Sequence, residues 1–84
     1  MILSWAEHAW QDYLYWQATD KKTLKRINLL IKDIKRQPFN GIGEPEPLKH
    51  NWSGFWSRRI NKEHRIVYKV TDTAIIIAQC RYYY

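Results

Sequence analysis

GFWSRRINKEHRIVYKVTDTAIIIAQC, residues 54–80, is the stretch on which the fold turns. It contains three runs, GFWSRRI (54–60), HRIVYKV (64–70) and TAIIIAQC (73–80), rich in β-branched and aromatic residues. Their period of two predicts strands. The connectors NKE and TD are short enough only for hairpins, so the three strands form an antiparallel meander. Alternation places Phe55, Ser57 and Arg59 on one face of the first strand, and Arg65, Val67 and Lys69 on one face of the next.

Upstream, the period becomes helical. Residues 1–3 (MIL) read as a short strand, and Ser4 with Glu7 fits an S-x-x-E capping box. Trp5, Ala9, Tyr13 and Trp16 then recur at helical spacing, predicting a helix over 5–18. Thr19 and Asp20 can cap a second helix running to about Arg36, with a buried stripe of Leu24, Ile27, Leu30, Ile31 and Ile34. Pro38 ends it, because the residue before a proline disfavours helix. Residues 38–51, PFNGIGEPEPLKHN, form a loop punctuated by glycine and proline, and loops this long in small domains often carry function. The order is β-α-α-β-β-β. The expected architecture is one α+β domain over 1–84, an antiparallel sheet with two N-terminal helices packed on it.

Fourteen Lys+Arg against eight Asp+Glu give a net charge of +6. Such a surface attracts phosphate backbones, anionic lipid or acidic protein segments. Helix 2 carries Lys21, Lys22, Lys25, Arg26, Lys32 and Lys35 beside an aliphatic stripe that suits a domain core better than a membrane surface. No apolar run approaches the roughly 18 residues of a membrane span. No signal peptide opens the chain, and the single Cys80, in an apolar stretch, reads as a buried core thiol. A reducing cytoplasm is the expected compartment.

Metal chemistry finds no support, so no cofactor is expected: His8, His50 and His64 are scattered, and Cys80 has no partner cysteine. His50 and His64 read as surface or hydrogen-bonding residues. What remains suits RNA, which brings its own nucleophile, the 2′-hydroxyl. Cleavage then needs a base, cations for the phosphorane and an acid for the leaving 5′ oxygen. Glu46, between Pro45 and Pro47, is a carboxylate on a stiffened loop, with Lys49 and His50 close in sequence. Arg58, Arg59, Arg65 and Arg81 lie on or beside the strands, and their forks match phosphate oxygens. Tyr82, Tyr83 and Tyr84 can stack on bases or give a phenolic hydrogen bond. Each has a structural alternative: Glu46 as an exposed loop charge, Arg65 in a cross-strand ion pair, the tyrosines packing a sheet edge.

W-x-D-Y-L-Y-W-Q-x-T-D-K at 10–21, P-F-x-G-x-G-x-P-E-P-L-K-H-N at 38–51, S-G-F-W-S-R-R-I at 53–60, E-H-R-x-V-Y at 63–68 and C-R-Y-x-Y at 80–84 together resemble the YoeB toxins of the RelE superfamily. The resemblance implies a microbial-ribonuclease-like fold and a toxin that cuts messenger RNA in the ribosomal A site. It also implies a YefM-like antitoxin with an acidic covering segment, operator DNA bound through the toxin–antitoxin complex, and a homodimer. Carried over by position, Glu46 becomes the general base and Arg65 the phosphate-binding cation, with Lys49 and Arg59 as supporting contacts and Tyr84 positioning the RNA. The family's general-acid histidine is here Tyr83. An imidazole titrates at about 6.5 and a phenol at about 10, so three readings stand. Tyr83 is the acid or a phosphate donor; His50 or the ribosome supplies the proton; or the chain is a weakened enzyme. The rival class is a non-catalytic module that blocks the ribosome or joins an antitoxin as co-repressor.

Overall fold

The structure, a computed structural model, describes residues 1–83. Its elements run β1 (Ile2–Trp5), α1 (Glu7–Thr19), α2 (Lys21–Arg36), β2 (Glu46–Pro47), a 3-10 turn (His50–Trp52), β3 (Trp56–Arg59), β4 (Arg65–Val70) and β5 (Ala74–Gln79). The fold class is α+β as expected. The five strands form one sheet in the order β1-β5-β4-β3-β2.

The meander β3-β4-β5 is antiparallel, with Ser57 opposite Val67 and Arg59 opposite Arg65. Two features depart from the expectation. β1 joins β5 in parallel, so the sheet is mixed. The loop also contributes a two-residue edge strand, β2, in which Glu46 lies opposite Ser57. An edge tolerates Pro47, whose nitrogen has no proton for the ladder.

The capping box does not form. Ser4 is consumed by β1, opposite Ile76, and α1 begins after Ala6 without a side-chain cap. Pairing along the sheet has overridden the local signal, and the helix starts two residues late. Asp20, by contrast, caps α2: its carboxylate accepts from the Thr23 amide at 3.1 Å and the Thr23 hydroxyl at 2.7 Å. Such a cap contributes about 1 kcal/mol.

The core lies between the helices and one sheet face. Ala9 and Trp16 of α1 and Ile27, Leu30, Ile31 and Ile34 of α2 meet Ile66, Tyr68, Ile75 and Ile77. Leu24 and Tyr13 are half-buried at its margin. Cys80 is a buried free thiol, and burial pushes its ionisation far up. With Ile66 and Tyr68 inward, the alternate residues Arg65, Val67 and Lys69 project from the opposite face. Their cross-strand neighbours Ser57, Arg59 and Glu46 share that face.

Candidate active site

Three segments converge on the outer face of β3 and β4. The first is the loop from α2 to β2, which delivers Glu46. Its path is set by Arg58, the largest of the fully buried side chains among the described residues. The sequence grouped Arg58 with the phosphate-binding arginines. Instead it points into the core between Trp56 and Ile60, away from Arg59. Its guanidinium donates to Asp33 Oδ2 at 2.6 Å and to the carbonyls of Gln37, Asn40 and Ile42 at 2.6, 2.7 and 3.1 Å. Its Nε donates to the Tyr68 hydroxyl at 3.1 Å, which itself donates to the Pro38 carbonyl at 2.7 Å. One side chain thus gathers three carbonyls of the loop, as only a guanidinium fork can. Asp33 completes the clamp. Hydrogen bonds from Arg36, Arg58 and Gln37, with the Ile42 amide, hold its carboxyl well below the usual carboxylate range.

Close approach dictates the glycines in this loop. At Gly43 (φ 81°), an added Cβ would sit 2.8 Å from Leu30 Cδ2 and 3.1 Å from the Arg59 carbonyl oxygen. Its own carbonyl accepts the Arg59 amide at 2.6 Å, tying the loop to β3 next to Glu46.

The second segment is β3–β4. Glu46, Arg59 and Arg65 line one small cleft of about 70 Å³, together with Glu44. Glu44, which the sequence reading passed over, has a left-handed backbone (φ 54°) and pairs with Arg59 Nε at 3.2 Å. The only sequence signal for it was its place next to Pro45. Glu46 also lines a larger open groove of about 480 Å³ running through Lys49 and His50 to Trp52. The two clefts therefore share the carboxylate, and the groove carries Lys49 and His50 as a continuation of the cationic cleft. Arg65 is only 6% exposed. Its Nη1 donates to the Asn61 carbonyl at 3.2 Å, so its fork is oriented, and no cross-strand carboxylate faces it in register: its partner is Arg59.

The third segment is the tail after β5. The Cys80 amide donates to buried Asp12 of α1 at 3.1 Å, and its carbonyl accepts from Trp16 Nε1 at 2.8 Å. The chain then runs on past the start of β4, where the Arg65 amide donates to the Tyr82 carbonyl at 3.0 Å. This brings Tyr83 onto Arg65: Nη2 donates to the phenolic oxygen at 2.6 Å, and the guanidinium lies 4.4 Å over the ring. Arg81 is not delivered to the cleft; it is stacked between Tyr15, at 3.5 Å, and Tyr82, at 4.5 Å. Tyr84 lies outside the described residues.

The arrangement places two carboxylates and two guanidinium groups around one cleft, with the Tyr83 phenol on Arg65. Among the described residues no three His, Cys, Asp or Glu side chains are grouped as a metal site would need. Among them, too, no helix is long and apolar enough to cross a membrane.

Comparison with known proteins gives a consistent picture. Residues 5–84 match the model of a family described as the YoeB-like toxin of bacterial type II toxin–antitoxin systems. Toxin YoeB of Escherichia coli K12 is 66% identical over 84 residues, covering all of both chains. The solved YoeB/ParE toxin from Agrobacterium tumefaciens superposes with a TM-score of 0.98 at 48% identity, again over all of both chains. YoeB of Staphylococcus aureus has been solved as a dimer and in a heterotetrameric complex with the antitoxin YefM. These align at 49% identity with TM-scores of 0.93 and 0.92, covering all of this chain and 98% of theirs.

Proposed function

The chain belongs to the YoeB-like toxins of bacterial type II toxin–antitoxin systems, and from that premise we propose that it is a ribosome-dependent endoribonuclease that cleaves messenger RNA in the A site. The observation that carries the proposal is the cleft lined by Glu46, Arg59 and Arg65, with the Tyr83 phenol on Arg65. A carboxylate beside a phosphate weakens binding, so a site that merely holds RNA gains nothing from Glu46. A site that cuts RNA needs it.

In the proposed reaction Glu46 takes the 2′-hydroxyl proton as that oxygen attacks the adjacent phosphorus. The P–O5′ bond breaks, leaving a 2′,3′-cyclic phosphate on one fragment and a 5′-hydroxyl on the other. Arg65 and Arg59 stabilise the charge that grows on the phosphorane oxygens. The Tyr83 hydroxyl, which accepts from Arg65, gives its proton to the leaving 5′ oxygen. Lys49 and His50, in the adjoining groove, hold the flanking phosphates. Tyr84, the family's terminal aromatic, orients the RNA by stacking.

The net charge of +6 suits both ribosomal RNA and an acidic antitoxin segment. A YefM-like antitoxin is the proposed partner, since YoeB of S. aureus is found in complex with YefM. In this reading operator DNA is reached only through that complex, and the working compartment is the cytoplasm, where ribosomes and message are.

Primer extension on a defined message in a reconstituted translation system tests the proposal. Stops inside A-site codons that appear only with ribosomes support it. Arrested translation on intact message would identify a blocking module instead.

A further inference from the structure

We propose that His64 is a positioning residue for Tyr83: its Nδ1 holds the Tyr82 amide, and so sets the tail against Arg65, only while the ring is neutral. The inference deepens the proposed reaction and rests on Tyr83 acting in it.

Beyond Cys80 the Gln79 side-chain amide donates to the Arg81 and Tyr83 carbonyls at 3.2 and 3.4 Å, and two further hydrogen bonds engage the backbone of Tyr82 itself. The Tyr82 carbonyl accepts the Arg65 amide at 3.0 Å. The Tyr82 amide donates to His64 Nδ1 at 2.7 Å. Between them Tyr82 has φ 66°, a left-handed conformation that a bulky L residue keeps only when its surroundings hold it. The direction of that bend decides where Tyr83 goes, namely onto the Arg65 guanidinium.

His64 is well placed to hold it. Its amide donates to Asn61 Oδ1 at 2.9 Å, and its carbonyl accepts the Ile60 amide at 3.0 Å. Its ring stands edge-on to Trp16 at 4.8 Å, with the Tyr82 ring at 5.9 Å. The imidazole is thus packed between α1 and the tail with Nδ1 aimed at a donor. Nδ1 must therefore carry a lone pair, and the ring proton sits on Nε2.

A second proton on the ring would turn Nδ1 from acceptor to donor, facing another donor, and the bond would be lost. Among the described residues, the charged and titratable groups beside the ring's contacts are Lys62, Glu63 and Arg65 on its own segment, Arg81 and Tyr82 on the tail, and Asp12, one turn from Trp16 on α1, which holds the Cys80 amide. None of these accepts the Tyr82 amide in place of Nδ1. Acid therefore loosens the tail, and the bond returns as pH rises.

The two amide side chains separate this role from simple packing. In His64→Asn the side-chain oxygen takes the place of Nδ1 and does not titrate. In His64→Gln the oxygen reaches the place of Nε2 and leaves the Tyr82 amide without its acceptor. The experiment follows Tyr82 amide exchange by NMR, corrected for the intrinsic pH dependence of exchange, in parent and both variants. Message cleavage by the same three proteins is measured from about pH 8 to about pH 5. In the parent, Tyr82 protection and cleavage fall together on acidification, protection by about fivefold, as expected for loss of one hydrogen bond. His64→Asn keeps both and shows no acid loss of protection, while His64→Gln loses protection at every pH.

Equal Tyr82 protection in parent and His64→Gln, or equal loss in both variants, overturns the inference. A parent that cuts no message at any pH would count against the proposed reaction instead. The exchange data would then still decide the role of His64.

Discussion

Arg65 meets Tyr83 twice: its Nη2 donates to the phenolic oxygen at 2.6 Å, and its guanidinium lies 4.4 Å over the same ring. The contact joins β4 to the tail beyond β5, so the group proposed to protonate the leaving oxygen is carried by the cation proposed to hold the phosphate. The ring and the hydroxyl make separable contributions, because stacking survives removal of the oxygen.

Tyr83→Phe should keep the tail docked through the ring and lose the acid. The expected result is slower cleavage by roughly 10²-fold or more, the usual worth of a proton donor in the transition state. Tyr83→His should keep or raise cleavage and move the pH optimum down. An imidazole must be protonated to act as the acid, whereas a phenol is protonated across the whole physiological range. A pH–rate profile of the two variants beside the parent checks both. A Tyr83→His protein slower than the parent at every pH would contradict the assignment.

The phosphate contact proposed for Arg59 would put Glu44 in competition with RNA. Their ion pair at 3.2 Å is exposed, Glu44 by 77%, so it is a weak pair. Exposed pairs contribute about 0.2–1 kcal/mol. Glu44→Ala should therefore tighten binding to a short oligoribonucleotide by about two- to fivefold. It should also steepen the loss of affinity with added salt, since one more guanidinium is open to phosphate. Titrations at two ionic strengths measure this; unchanged affinity and slope would mean that Arg59 does not meet phosphate.

The Arg58 clamp predicts a strong effect on stability without any direct contact to RNA. Arg58→Leu removes the guanidinium that three loop carbonyls and the Tyr68 hydroxyl accept from, and takes from Asp33 its buried cationic partner, and should cost about 3–5 kcal/mol in urea unfolding. Arg58→Lys should recover little, because an ammonium cannot span those acceptors.

Asp33 makes the same clamp acid-sensitive. Its carboxyl ionises well below the ordinary value of about 3.9 once folded. A depressed carboxylate stabilises the fold above its unfolded value, and that contribution disappears as pH falls through the folded one. The stability gap between the parent and Asp33→Asn should accordingly shrink on acidification from about pH 5 downward. Thermal melts of the two proteins across that range provide the check, and a constant gap would contradict it.

Much of this architecture is visible in the residues. The period-two runs locate β3, β4 and β5, and the aliphatic stripe with its Asp20 cap locates α2, because both patterns are local. The parallel β1–β5 pairing is not local: it joins Ser4 to Ile76, and it displaced a capping box that looked sound on its own. β2 is two residues long and exists only because β3 is there to pair with it. For Arg58, alternation already held the answer, since it shares a face with Trp56 and Ile60, but its charge suggested the surface. Glu46, Arg59 and Arg65 were legible as candidates, and the fold gathers them at one cleft. Arg81 was legible only as a cation; its place between two rings depends on the tail passing beside Tyr15 of α1.

The central claim is that Glu46 serves chemistry and not grip. The most direct test compares the parent with Glu46→Gln in a reconstituted translation system, scoring message cuts by primer extension and ribosome association by sedimentation. The account predicts that A-site cuts fall by roughly 10²–10⁴-fold while ribosome association holds or tightens. Unchanged cutting, or loss of ribosome association in step with cutting, would contradict it.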